Sequence, residues 1–142
     1  MRTTTGFILV CMALVGMGQS AAPVTIWDGV YTEAQARRGQ GVYEASCASC
    51  HQSDLSGGGV FEDDQAPPLR NIELYVVRRD MNNLFTYVKE RMPADARASL
   101  TDATYVDVLA YLLEQNDVPA GREELRTEAA RLRAIAIVRR TQ

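Results

Sequence analysis

Apolar residues recur every three or four positions in three segments of the chain, which begin near Thr32, Asp80 and Thr101. Positions spaced in this way share one face of an α-helix. The predicted inward-facing residues are Ala36, Gly39 and Tyr43 in the first segment, Leu84, Phe85 and Val88 in the second, and Tyr105, Val108, Leu109, Leu112 and Leu113 in the third. The alternation typical of a strand is hard to find, so the predicted fold class is all-α.

Residues suited to helix ends bound these segments. Thr32 is followed three residues later by Gln35, which predicts a capping box at the start of a helix that runs to about Cys47. Asp80 is suited to cap the second long helix, and the next proline to end it. A weaker helix is predicted over residues 71–79.

Residues 1–22 have the order of an export signal. Arg2 supplies a charged start, residues 7–15 form an unbroken apolar run, and small residues follow. The apolar run is too short to span a bilayer. We predict a signal peptide cleaved near residues 20–22, a periplasmic location, and no integral membrane segment after its removal. The alternative is an apolar first helix.

The remaining composition is that of one acidic domain. The chain has 142 residues, 46% of them hydrophobic, which suits one core and not two ordinary domains. Removing Arg2 from the 15 basic side chains leaves 14 against 18 acidic ones, a net charge of about −4. This charge argues against nucleic acid and anionic membranes as partners. We expect a domain over residues 23–121 and a C-terminal extension over residues 122–142.

Two cysteines and the one histidine of the chain lie close together as Cys47, Cys50 and His51. The third cysteine, Cys11, leaves with the signal peptide. A disulfide would close a very small loop, zinc would need further cysteine or histidine ligands, and a thioredoxin-like site would need strands. Cys-Xaa-Xaa-Cys-His is instead the attachment signature of haem, in which both thiols form thioethers and the imidazole faces the iron. We therefore predict one haem c bound through Cys47 and Cys50, with His51 as a metal ligand.

The segment from residue 53 to residue 68 is predicted to be a long loop. The glycine run at residues 57–59 lacks the Lys-Ser/Thr pair and the helix start of a phosphate-binding loop. The acidic run at residues 62–64 lacks the alternating ligands of a calcium loop, so a solvated charge run is the favoured interpretation.

Over roughly residues 27–121 the chain resembles the class I cytochromes c of bacterial periplasms. Gly39 and Tyr43 are similar to the small and aromatic pair with which that family's first helix crosses its last. The stretch DVLAYLLEQ resembles that last helix, with Tyr111 and Leu112 at the crossing. The resemblance implies a small cytochrome c fold, with three to five helices wrapped around one covalent haem. The stretches WDGVYTEAQARRG and VPAG are similar to cytochromes associated with quinoprotein dehydrogenases.

The second axial ligand of the iron is a methionine, water or nothing, because the chain has no second histidine. Met81 and Met92 are the methionines that remain after the signal peptide. Met92 precedes a proline, which can present it on a loop, and Met-Pro resembles the ligand motif of the family. The resemblance therefore implies Met92 as the metal ligand opposite His51. Its alternative role is to fill a gap in the core.

Further contacts of the haem are implied by the resemblance. It assigns to Pro67 the carbonyl that accepts the imidazole N–H, and to Leu69 a position against the haem. The alternative is that the two prolines at residues 67 and 68 simply form a turn. Tyr75 and Tyr87 could donate a hydroxyl to the methionine sulfur or to a haem propionate, or simply cover the core. After this stretch the chain reads RNIELYVVRRD, without the family's usual glycine and aromatic residue, so the haem cover is expected to differ there.

The resemblance implies a one-electron carrier rather than an enzyme. It would accept electrons from a periplasmic dehydrogenase and pass them to a terminal oxidase or another cytochrome. The alternatives are a haem enzyme or gas sensor with an open sixth coordination site, and a thiol-disulfide protein using the two cysteines. The acidic composition predicts docking to basic partner surfaces, with an exchange rate that falls as salt rises.

The C-terminal tail, residues 122–142, has its own helical pattern. Leu125, Ala129, Leu132 and Ala136 recur at helical spacing among six arginines. We expect this tail to dock on the domain, the alternatives being a partner-binding segment and a solvated end.

Overall fold

The computed structural model describes residues 24–61 and 64–140, and the predicted export signal lies outside them. Its helices are a 3-10 turn at Ile26–Asp28, α1 at Glu33–Ser46, α2 at Ala48–His51, α3 at Ile72–Val76, α4 at Met81–Arg91, α5 at Asp102–Glu114 and α6 at Ala129–Arg133. Its strands are β1 at Val24–Thr25, β2 at Val60–Phe61, β3 at Asp64–Gln65 and β4 at Ile135–Ala136. These strands have two residues each, and the predicted all-α class is confirmed. None of these helices has the length and the apolar stretch that a membrane crossing requires.

Side-chain caps form the predicted starts of the three long helices. Thr32, Asp80 and Thr101 each accept a hydrogen bond from the backbone N–H three residues further on, at 3.1, 2.8 and 3.2 Å. Each bond satisfies one of the free N–H groups of a first helical turn. The helix predicted over residues 71–79 is shorter than expected. It ends at Val76, shortly before Arg79 adopts a left-handed backbone conformation with a φ of 70°.

The crossing of α1 and α5 forms the centre of the fold. A Cβ atom placed on Gly39 would lie 1.9 Å from the carbonyl oxygen of Asp107, so the two helix backbones touch there. The rings of Tyr43 and Tyr111 lie beside this contact, with centroids 5.2 Å apart. At the edge, the Arg38 guanidinium donates to both carboxylate oxygens of Asp107, at 2.9 and 3.0 Å. The crossing implied by the resemblance is therefore present.

Gln35 does not complete the predicted capping box. Its side chain is 1% exposed and points away from Thr32 to the backbone of Leu125. The Gln35 amide nitrogen donates to the Leu125 carbonyl at 2.9 Å, and the amide oxygen accepts from the Leu125 N–H at 2.8 Å. Buried backbone groups need partners, and Gln35 supplies both for a tail residue outside regular structure. The cap is thus formed by Thr32 alone.

The C-terminal tail docks on the domain, as we expected. Leu125, Leu132 and Ile137 are buried in the common core, and β4 pairs in parallel with β1. The continuous helical pattern is not realised, because α6 has only five residues and is followed at once by β4. Ala129, which the pattern assigns to the buried face, is exposed.

Candidate haem site

One tight turn brings the two cysteines and the histidine together. Cys47 ends α1 and starts α2, and its carbonyl oxygen accepts from the N–H groups of Cys50 and His51 at 3.2 and 2.9 Å. Neither cysteine is in a disulfide, and all three side chains line one cavity. The spacing Cys-Xaa-Xaa-Cys-His therefore places two thiols and one imidazole at the same wall.

The imidazole of His51 is oriented by a backbone carbonyl. Its Nδ1 atom lies 3.0 Å from the carbonyl oxygen of Pro67, and the side chain is 7% exposed. A carbonyl can only accept, so Nδ1 carries the proton and Nε2 keeps a free lone pair. This is the contact that the resemblance assigned to Pro67. It leaves His51 ready to coordinate a metal through Nε2.

The glycine run at residues 57–59 connects the attachment turn to Pro67. Gly57 N–H donates to the His51 carbonyl at 2.9 Å, and Gly59 N–H donates to the Cys50 carbonyl at 3.0 Å. A Cβ atom on Gly59 would lie 2.4 Å from the Cys50 carbonyl oxygen, which only glycine avoids. On its other side the run exchanges two backbone hydrogen bonds with residue 66, at 2.7 and 2.8 Å. We did not predict this role from the sequence, although three glycines shortly after the motif are a signal of close backbone approach.

The cavity is mostly apolar and has the size of a cofactor site. Its volume is about 370 Å³, within the range of roughly 300–1,000 Å³ usual for ligand pockets. The apolar side chains that line it include Leu69, Tyr75, Leu84, Val88, Pro93, Val108 and Leu112. They come from the loop after α2, from α3, α4 and α5, and from the turn after α4. The elements around the α1 and α5 crossing thus enclose the space that the attachment turn faces.

Only one of the two candidate methionines lines this cavity. Met92 is the C-cap of α4; its N–H donates to the Val88 carbonyl at 2.8 Å, and its carbonyl accepts from the Tyr105 hydroxyl at 2.8 Å. Its side chain is half-buried at the cavity wall. Met81 is fully buried in the core and is not among the lining residues.

Tyr75 does not make the hydrogen bond that we expected, whereas Tyr87 lies at the exposed edge of the cavity. The Tyr75 hydroxyl donates to the Leu69 carbonyl at 2.6 Å, so it is not directed to a methionine sulfur or a propionate. Burial raises the pKa of Tyr75 well above its usual value, which keeps this hydroxyl protonated. Tyr87 is 37% exposed at the cavity and lies under the guanidinium of Arg78, 3.6 Å from the ring centroid.

The charged residues at the cavity are mainly basic, although the whole chain is acidic. Arg78, Arg91 and Arg97 line it, with Asp95 as the acidic residue. Net charge is a sum over the chain and does not locate charges, which is why the composition missed these arginines. The described residues at this edge of the cavity therefore do not form an acidic docking surface of the kind that the composition suggested. Guanidinium groups suit carboxylates, and a haem brings two of them.

The Cys47 thiol is unsuited to redox exchange. Burial, with a smaller contribution from Cys50, raises the pKa of the free Cys47 thiol to about 11. Reactive cysteines of thiol-disulfide proteins have lowered pKa values, because the thiolate is the nucleophile. Cys47 therefore lacks the lowered pKa that the thiol-disulfide alternative requires.

An all-α fold that encloses an apolar cavity against a Cys-Xaa-Xaa-Cys-His turn defines a c-type cytochrome. The chain belongs to the family described as cytochrome c oxidase, cbb3-type, subunit III, whose sequence model matches residues 34–112. It is also similar to thiosulfate dehydrogenase of Allochromatium vinosum, at 28% identity over 117 residues. That alignment covers 75% of this chain and 43% of the relative, so the chain spans less than half of that protein's length. No solved structure shows significant similarity to the chain.

The cofactor is a covalent c-type haem attached through Cys47 and Cys50. The surrounding residues fit this group. The attachment turn supplies two thiols and an imidazole with a free lone pair, the wall is apolar, and arginines are available for the propionates.

Proposed function

We propose that the protein is a periplasmic one-electron carrier of the class I type, in which His51 and Met92 coordinate the iron from opposite sides. The main support for this proposal is the position of the Met92 side chain at the cavity wall. It lines the same cavity as His51, whereas Met81 is buried elsewhere in the core. With both axial positions filled by the protein, substrates would have no access to the iron.

Each residue of the site has a distinct part in this function. The bound haem supplies a one-electron couple between ferric and ferrous iron. Pro67 fixes the tautomer of His51 through the contact at 3.0 Å. Two backbone hydrogen bonds, to Val88 and from Tyr105, hold the Met92 backbone. A thioether is a neutral, soft ligand that favours ferrous iron and so raises the reduction potential.

Leu69 and Tyr87 are the remaining proposed haem contacts. Leu69 lines the apolar wall, and its carbonyl is held by the Tyr75 hydroxyl and by the Asn116 amide at 2.9 Å. Tyr87 and Arg78 stack at the exposed edge of the cavity, where they are available to a propionate. The apolar wall excludes water, and the basic edge balances the charge of the propionates.

An electron donor of the dehydrogenase class fits this carrier. The relative named thiosulfate dehydrogenase is an oxidoreductase, which supports a role beside or within a dehydrogenase complex. The resemblance to cytochromes of quinoprotein dehydrogenases supports the same class of donor. The acceptor would be a terminal oxidase or another cytochrome. The proposed periplasmic location depends on removal of residues 1–22 as an export signal.

The alternative function is a haem enzyme or gas sensor with an open sixth site. The similarity to thiosulfate dehydrogenase is the observation that favours an enzyme. A peroxidase-like enzyme would want a distal acid-base group, and His51 is the one histidine of the chain. Among the described residues that line the cavity, Asp95 is the one carboxylate, and it is exposed. The carrier is therefore the better supported function.

Absorption spectra of the ferric holoprotein test the proposal. We expect the far-red sulfur-to-iron band in the wild type, its loss in Met92→Leu and its retention in Met81→Leu. Leucine conserves the volume of methionine while removing the sulfur. Absence of the band from the wild type, or its survival in Met92→Leu, would refute ligation by Met92.

A further inference from the structure

The tail is attached to α4, the helix that ends at Met92. The helix α6 packs against α4, and Leu132, its buried residue, is 0% exposed. Among the described residues that line the cavity, none belongs to the tail. The tail therefore contacts α4 without lining the cavity.

The tail also holds the segment that leads into α4. The Ile137 N–H donates to the Arg79 carbonyl at 2.7 Å, and residue 136 forms a β-bridge with Asp80, the N-cap of α4. The Arg139 guanidinium pairs with Glu73 in α3, with Nε to Oε1 at 2.6 Å. Tail residues 136–139 are thus bound both to α3 and to the two residues that precede α4.

The other anchors of the tail lie on parts of the fold away from α4. Gln35 of α1 makes its two buried hydrogen bonds to the backbone of Leu125. β4 pairs with β1, and the Trp27 indole N–H donates to the Val138 carbonyl at 2.8 Å. The tail therefore bridges α1 and the N-terminal segment to α4.

The helix that this bridge contacts forms one wall of the haem cavity. Leu84, Tyr87, Val88 and Arg91 of α4 line the cavity, and Met92 ends the helix. α4 packs on both α5 and α6. We propose that the tail is a positioning element for α4. By holding this helix in place, the tail would limit how readily another ligand displaces Met92 from the haem iron. The part that concerns ligand exchange rests on the proposed coordination by Met92.

Two leucines of the tail provide a matched test. Leu132 is buried on α6 against α4, and Leu125 is buried at a groove it shares with Gln35 of α1. Imidazole added to the ferric holoprotein must displace Met92 to bind. We expect Leu132→Ala to raise the apparent affinity for imidazole about tenfold, because residues coupled through packing shift such equilibria. We expect Leu125→Ala to remain within about twofold of the wild type.

Equal affinities in the two variants would overturn the proposal. A wild type without the sulfur-to-iron band would refute the proposed ligand. The positioning role would then be tested by hydrogen exchange of the α4 amides. Faster exchange in Leu132→Ala than in Leu125→Ala would then support the role, and equal exchange would refute it. If an alanine variant fails to fold, the milder pair Leu132→Val and Leu125→Val is measured with the same criteria.

Discussion

Replacing Gly39 by alanine should destabilise the protein through a clash between two helix backbones. The added Cβ would lie 1.9 Å from the Asp107 carbonyl oxygen and 2.9 Å from the Val108 nitrogen. Real contacts of a Cβ atom are essentially never shorter than 3.0 Å, so α1 and α5 would have to separate locally by at least 1.1 Å, the difference between 3.0 and 1.9 Å. Both contacts are with backbone atoms, which cannot rotate away as a side chain could.

The size of the effect follows from two opposing terms. Overpacking a core costs about 1–3 kcal/mol, and a backbone contact places this site at the upper end. Alanine gains up to about 1 kcal/mol over glycine in helix propensity. The clash exceeds the propensity gain, so we expect Gly39→Ala to lower the free energy of unfolding by about 2 kcal/mol.

Gly41 provides the matched control for this substitution. It lies in the same helix with nothing within 4 Å of an added Cβ, so Gly41→Ala should stabilise by about 0.5–1 kcal/mol. Denaturant unfolding of both holoproteins, followed by circular dichroism, measures the difference. Equal midpoints for Gly39→Ala and Gly41→Ala would show that the close crossing of α1 and α5 is not a feature of the molecule.

Two further predictions concern buried hydrogen bonds. Gln35→Ala should cost about 2–4 kcal/mol of stability in denaturant unfolding, because it leaves the buried N–H and C=O of Leu125 unpaired. The control Gln40→Ala removes an exposed side chain and should change stability by less than about 0.5 kcal/mol. Similar midpoints for the two variants would contradict the buried hydrogen bonds of Gln35. Burial raises the pKa of Tyr31 from 10.0 to about 12, with its hydroxyl donating to Val118 at 2.6 Å. The raised pKa stabilises the fold below pH 10, and that contribution is lost as the pH rises from 10 to 12. Tyr31→Phe should therefore lose about 2 kcal/mol less stability than the wild type over that range in alkaline denaturant titrations, and equal losses would argue against a buried, neutral hydroxyl.

The helices and the attachment turn could be predicted because their signals are local. Thr32, Asp80 and Thr101 act on N–H groups three residues away, and apolar spacing identifies the buried faces. The Cys-Xaa-Xaa-Cys-His motif likewise needs only one turn to place its three side chains.

The features that escaped prediction depend on residues far apart in the chain. Gln35 has the spacing of a capping residue, yet its partner Leu125 lies 90 residues away and has no signal in the local sequence. The parallel pairing of β1 with β4 is equally non-local. The arginines at the cavity come from separate segments, so neither the acidic net charge nor any motif could bring them together.

Carbon monoxide binding to the reduced holoprotein at neutral pH shows whether the protein fills both axial positions of the haem iron. This ligand needs a free axial position on ferrous iron, so its uptake reports whether the protein's own side chains occupy both faces. The proposed coordination by His51 and Met92 predicts no uptake by the wild type and ready uptake by Met92→Leu. Ready uptake by the wild type would contradict the carrier and favour the open-site alternative.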